Sequence, residues 1–152
     1  MDIKLALPFI KATVDVLKTM AYITPEPGKP FVKRGDTAQG DVTGMVGFTG
    51  DKNGTFSITF SKRCAVQLVK NMLGDDVQDI LSDVKDAVGE VTNMISGQAR
   101  KGLAEDGLKL AGSTPTVIMG DGHTVAHITR GPIMSVPFTT PHGDFFIEFC
   151  FE

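Results

Sequence analysis

The chain reads as an α+β protein, a mostly antiparallel sheet with helices packed on one face, including a long amphipathic helix. Three observations predict this. Residues 80–103 space their apolar side chains at helical intervals. Residues 55–60 and 145–151 alternate at strand intervals, and Asn53-Gly54 is a tight hairpin signal between two such stretches. Antiparallel strands separated by helices pack as a sheet layer and a helix layer.

A first helix is predicted from about Asp2 to Tyr22, with Pro8 near its start. Leu7, Ile10, Val14 and Leu17 form its apolar face, and Lys4, Lys11 and Lys18 a solvated stripe. Pro25-Glu-Pro-Gly-Lys-Pro30 stops the helix and begins extended chain. A strand over Gly40–Thr49 puts Val42, Gly44, Val46 and Phe48 on one side. Beyond the hairpin, Phe56, Ile58 and Phe60 alternate with Thr55, Ser57 and Thr59, as in a sheet with one buried face. Ser61 caps a second helix that Gly74 ends near Leu73. Asp75, Asp76 and Asp79 then favour the positive end of the next helix dipole.

That next helix buries Ile80, Val84, Ala87, Val88, Val91, Met94, Ile95, Ala99 and Leu103 on one side. Beyond Gly112 the pattern returns to strands: Thr116–Met119, a weaker candidate at Val125–Thr129, then Ile133–Thr140 and Phe145–Phe151 around a turn at Pro141, His142 and Gly143. In the last strand Phe145, Ile147, Phe149 and Phe151 share a face.

The 152 residues suit one domain spanning 1–152, with 41% hydrophobic and 22% charged residues, an ordinary globular balance. A tract of about 18 apolar residues is lacking, so no membrane span is expected. The N-terminus, broken by charges and a proline, lacks a signal-peptide centre; a cytoplasmic location is expected. A net charge of −3 argues against nucleic acid. The pairs Lys33-Arg34, Lys62-Arg63 and Arg100-Lys101 read as surface or helix-end charges. Cys64 and Cys150 are too few for a disulfide framework. Cys64, opening a helix, suits a half-buried small side chain better than an acidic thiol.

His123 and His127 are four apart, but their glycine-rich setting reads as a turn entering a strand and offers no third ligand, so no metal site is expected. His142 is a loop residue. Gly120-Asp-Gly122 lacks a phosphate-loop setting, and no serine has nucleophile-elbow spacing.

The candidate site lies on the long helix. Asn93 points away from the apolar stripe and Glu90 stands one turn earlier, so an amide and a carboxylate face outward together. Asp86 and Gly97 share that face, where glycine leaves room for an approaching surface. Taken alone, such residues on a helix read as a solvated face.

The surrounding sequence changes that reading. Asp86-Ala-Val-Gly-Glu-Val-Thr-Asn-Met-Ile-Ser-Gly97 holds an E-x-x-N motif. It resembles the CheX branch of the CheC/CheX/FliY phosphatases, which act on phosphorylated CheY-like response regulators. Leu17-Lys-Thr-Met20, Asp41-Val-Thr-Gly-Met-Val-Gly-Phe48, Gly54-Thr-Phe-Ser-Ile-Thr-Phe60, Met72-Leu-Gly74, Pro115-Thr-Val-Ile118, Pro137-Phe-Thr-Thr140 and Gly143-Asp-Phe-Phe-Ile-Glu-Phe149 extend the likeness.

The resemblance implies a hydrolase of a regulator's aspartyl phosphate in chemotaxis or two-component signalling. By the family's pattern the asparagine orients the attacking water and the glutamate pairs with the regulator's lysine, which makes Asn93 and Glu90 the catalytic pair and Glu90, Asp86 and Gly97 the docking residues. It implies no cofactor of the chain's own, with Mg2+ on the phosphorylated partner. One visible motif, as in CheX, implies a homodimer through the sheet. A non-catalytic regulator-binding module, or a scaffold, is the alternative.

Overall fold

In the computed structural model, residues 3–33, 40–74, 80–120, 123 and 131–152 are described. The expected Val125–Thr129 strand, Asp75, Asp76, Asp79, Arg34 and His127 lie outside these residues. Among the described residues, three α-helices, α1 (Ala6–Met20), α2 (Lys62–Leu73) and α3 (Ile80–Glu105), accompany eight strands. The strands are β1 (Glu26–Pro27), β2 (Phe31–Lys33), β3 (Val42–Gly50), β4 (Gly54–Phe60), β5 (Leu110–Gly112), β6 (Thr116–Met119), β7 (Ile133–Thr139) and β8 (Phe145–Phe151). They form one antiparallel sheet of order β1-β7-β8-β4-β3-β5, with β2 also on β7 and β6 also on β3.

The core lies between the sheet and the helices. Phe9 of α1 stacks on Phe56 at 5.2 Å and on Phe149 at 5.0 Å between ring centroids. This anchor turns α1 away from the expected face. Ala6, Phe9, Ala12, Thr13, Val16 and Leu17 are buried, whereas Leu7 is 62% exposed. A stripe drawn on aliphatic residues alone leaves out the one side chain large enough to set the helix's roll.

The hairpin forms as expected, Phe48 opposite Gly54 and Val42 opposite Phe60. The expectation of one buried face fails at β4, where all seven residues are buried. β4 is central in the sheet, and its outer row of Thr55, Ser57 and Thr59 sits beside Thr43, Ser135, Glu148 and Cys150, all buried. Gly131 and His123, on the connection between β6 and β7, reach that outer face. The Cys150 thiol donates to the Gly131 carbonyl, and His123 Nε2 meets Thr43 Oγ1. Lys33, expected at the surface, is buried there too, 2.6 Å from the Glu148 carboxylate.

α2 starts where Ser61 Oγ accepts the Cys64 amide at 3.2 Å and Asp41 Oδ2 accepts the Lys62 amide at 2.7 Å. Gly74, at φ 60, ends it. The expected stripe of α3 is buried except Ile80, 40% exposed, and Met94, half-buried; Thr92 and Ser96 are buried in addition. α3 stops in a paired-carbonyl turn. Gly107, at φ 90, donates to the Ala104 carbonyl, and the Leu108 amide returns to Leu103. This turn sends the chain straight into β5, against the far end of β3.

Candidate functional site at the outer face of the long helix

The site is built by α3 and by the loop that follows β5. β3 pairs with β5 through residues 48–50 and with β6 through residues 42–45, so residues 113–115 must bridge between the two. Ser113 pins that bridge: its amide donates to the Gly47 carbonyl at 2.9 Å and its Oγ accepts the Gly47 amide at 2.9 Å. Opposite, Gly89 of α3 lies over Val117, whose methyl would touch an added Cβ at 3.5 Å. The close approach holds α3 alongside β6.

Between these walls runs an open groove of about 550 Å³, lined by Asp86, Glu90 and Asn93 of α3 and by Ser113, Thr114 and Pro115 of the loop. Lys85 and Gly89 complete the helix side. Glu90 and Asn93 are exposed, and their side chains make no hydrogen bond among the described residues. An unpaired amide and an unpaired carboxylate, one turn apart on a 26-residue helix, project together into solvent. Each keeps its full hydrogen-bonding capacity for a visiting molecule: two donors and an acceptor on the amide, acceptors only on the carboxylate.

The geometry brings Asp86, Glu90 and Asn93 to one groove but not Gly97. That residue lines a neighbouring depression between α1 and α3, beside Asp15 and Gln98, whose side chains are hydrogen-bonded at 3.0 Å. A Cβ at Gly97 would meet nothing closer than Arg100 Nη2 at 4.0 Å, so internal packing does not require glycine there.

Two groups escaped the sequence reading. The Gly112–Pro115 wall has only the look of a polar loop in sequence, because its place opposite Asn93 depends on β3 accepting two partners. Arg100, read as a helix-end charge, is half-buried within the fold, and its Nε is buried without an acceptor.

The other chemistry-bearing residues find ordinary roles. His123 Nδ1 donates to the Gly120 carbonyl at 2.6 Å while Nε2 meets Thr43, so both ring nitrogens are engaged. Among the described residues no group of three His, Cys, Asp or Glu side chains could hold a metal ion. Cys64 is fully buried. Burial pushes its thiol up to about 11, opposed in part by the neighbouring Thr140 hydroxyl. No described helix is long and apolar enough to cross a membrane.

Comparison with known proteins converges on one family. The model of the chemotaxis phosphatase CheX family matches residues 42–139, which include α3 and both walls of the groove. The chemotaxis protein CheX from Desulfovibrio desulfuricans is 59% identical, with a TM-score of 0.94 over 98% of this chain and 99% of that one. The CheY-P phosphatase CheX of Thermotoga maritima is 26% identical over 121 residues, 79% of this chain and 78% of the relative. The fold also recurs in the CheX–CheY–BeF3–Mg2+ complex from Borrelia burgdorferi, at 23% identity and a TM-score of 0.82, over 99% of each chain. This chain, with its E-x-x-N face presented on α3, belongs to the chemotaxis phosphatase CheX family.

Proposed function

We propose that the protein hydrolyses the aspartyl phosphate of a CheY-like response regulator, with Asn93 orienting the attacking water and Glu90 pairing with the regulator's active-site lysine. The observation that carries this reading is the pair of unpartnered side chains at Glu90 and Asn93, held on a rigid helix beside an open groove. The T. maritima relative bears the name of a CheY-P phosphatase, and the B. burgdorferi relative is seen with CheY, BeF3 and Mg2+.

The chemistry demands little of the enzyme. An acyl phosphate is already activated, the Mg2+ resides on the regulator, and the missing part is a water held in line with phosphorus. Phosphoryl transfer is governed by such positioning and by electrostatics rather than covalent help. A carboxamide fits because it both donates and accepts hydrogen bonds without carrying negative charge toward an anionic phosphoryl group. Neither residue need act as a general base.

Asp86 extends the same face one turn toward the helix start and lines the groove beside Glu90, which supports a docking role. Gly97 supports docking from the adjacent depression, where its missing side chain keeps the helix surface low. The proposal includes a homodimer through the sheet. Phe31 and Val32 of β2 are exposed, and among the described residues β2 pairs only with β7.

The test follows phosphate loss from a phosphorylated regulator of the same organism. The wild type is expected to accelerate it, and Asn93→Ala to lose about 10²–10³-fold in rate, as when one preorganised orienting group is removed. Its circular dichroism and melting curve should match the wild type. Equal rates for the two proteins would overturn the assignment, and binding without accelerated phosphate loss would mark a docking module.

A further inference from the structure

Arg100 stands seven residues beyond Asn93 on the same side of α3, about 10 Å further along the axis. Its guanidinium lies across Gly112 at the end of β5. A Cβ there would come 3.0 Å from Nε and 3.2 Å from Cζ, so an alanine would crowd the guanidinium and push it by a few tenths of an ångström. Nη2 lies 4.0 Å from where a Cβ on Gly97 would stand, and the residue as a whole is half-buried. Nε is buried without an acceptor, and no carboxylate among the described residues forms an ion pair with this cation.

A guanidinium seeks a planar, two-pronged acceptor, and no described carboxylate supplies one to Arg100. Packing alone would be served by an uncharged chain of similar length. We infer that Arg100 is a docking residue that takes a carboxylate on the regulator's surface about 10 Å from the phosphoryl group, an inference resting on the proposed phosphatase reading. Charge complementarity selects the occupant, since a forked cation with no ion pair among the described residues matches a carboxylate in geometry and sign. The contact extends the interface beyond the catalytic pair, past Gly97, and explains why the helix surface is cut down there. Arg100 touches neither the water nor the phosphoryl group in this arrangement; it fixes the angle at which the regulator meets Asn93.

Steady-state hydrolysis of the phosphorylated regulator separates the possibilities. Arg100→Met keeps the aliphatic length and removes the charge. It is expected to raise KM about tenfold, with kcat within about twofold of wild type, and to flatten the fall of kcat/KM with added salt. Arg100→Lys should recover part of the loss, and Gly112→Ala, which displaces the guanidinium from beneath, should reproduce it. Gly112→Ala also serves if Arg100→Met does not fold.

Wild-type KM and salt dependence in Arg100→Met, beside an inactive Asn93→Ala, would overturn this inference and leave the phosphatase reading standing. A wild type that does not hasten phosphate loss would remove both. Conversion of dimer to monomer by Arg100→Met, measured by sedimentation, would assign the cation to a second copy of the chain instead.

Discussion

Thr92 Oγ1 occupies the space that a β-carbon on Gly44 would need. The hydroxyl is buried and donates to the Val88 carbonyl one turn back, at 2.6 Å, so its rotamer is fixed. α3 is thereby seated against β3 at one height and one roll angle. Asn93 follows directly, about 100° further around the helix, and its outward aim is set by how deeply Thr92 sits.

Gly44→Ala forces that contact apart. Overpacking of this kind costs about 1–3 kcal/mol. The melting temperature should fall, with a larger loss of phosphatase activity than of helical signal. Thr92→Ala in the same chain removes the clash, so the double variant is expected to be more stable than the sum of the singles. Simple additivity in urea melts would show that the two residues do not share the space.

Asn93→Asp tests the amide itself. The substitution keeps size and shape but removes the donor and adds a negative charge beside an anionic phosphoryl group. Its rate should fall at least as far as that of Asn93→Ala. Activity near wild type would show that an acceptor alone suffices to orient the water.

Glu90→Lys should act earlier in the reaction, at docking. A cation in place of the carboxylate would face the regulator's lysine, and like charges at a contact oppose association. The expected readout is weaker binding of the BeF3-loaded regulator, measured by calorimetry, with the fold unchanged because Glu90 is exposed and makes no hydrogen bond or ion pair among the described residues.

The buried Lys33–Glu148 pair predicts an asymmetry in stability. Both side chains are nearly inaccessible, at 4% and 3%. Lys33→Met takes the Lys33 cation from the buried Glu148 carboxylate and should destabilise the fold, by up to about 3–5 kcal/mol. Adding Glu148→Gln to that variant should restore much of the loss. Chemical denaturation of the two singles and the double, closing a thermodynamic cycle, measures it.

Cys64 gives a pH dependence whose sign is fixed. Burial raises its thiol from 9.0 to about 11. Below pH 9.0 the thiol keeps its proton in folded and unfolded chains alike. Above that, the unfolded chain ionises first, so stability falls as pH rises and the contribution is lost by about 11. Cys64→Ala should show a shallower decline across this window. The native thiol should also resist alkylation near pH ~8, where a free cysteine reacts.

Several elements were legible because their signals are local. The Asn53-Gly54 hairpin, the Ser61 cap, the Gly74 stop and the alternation of Phe145–Phe151 each follow from a few neighbouring residues, and each stands where expected. β5, three residues long, has no such signal; it exists because the turn at Gly107 delivers it to β3. The outer row of β4 looked solvated because threonine and serine alternate there, and only the order of strands makes that row internal. Thr92 and Ser96 were left out of the helix's buried face for the same reason. Small hydroxyls belong where a helix comes close to a glycine in the sheet, and that closeness joins residues far apart in the chain.

By itself the sequence determined the helix and its two faces. A period of 3.6 residues forces Glu90 and Asn93 to the side opposite the apolar stripe whatever else the chain does. The tertiary structure alone decided what lies across from them. The Gly112–Pro115 wall, the half-buried Arg100 and the separation of Gly97 from the groove all arise from long-range strand pairing and from contact between elements, which no local pattern encodes.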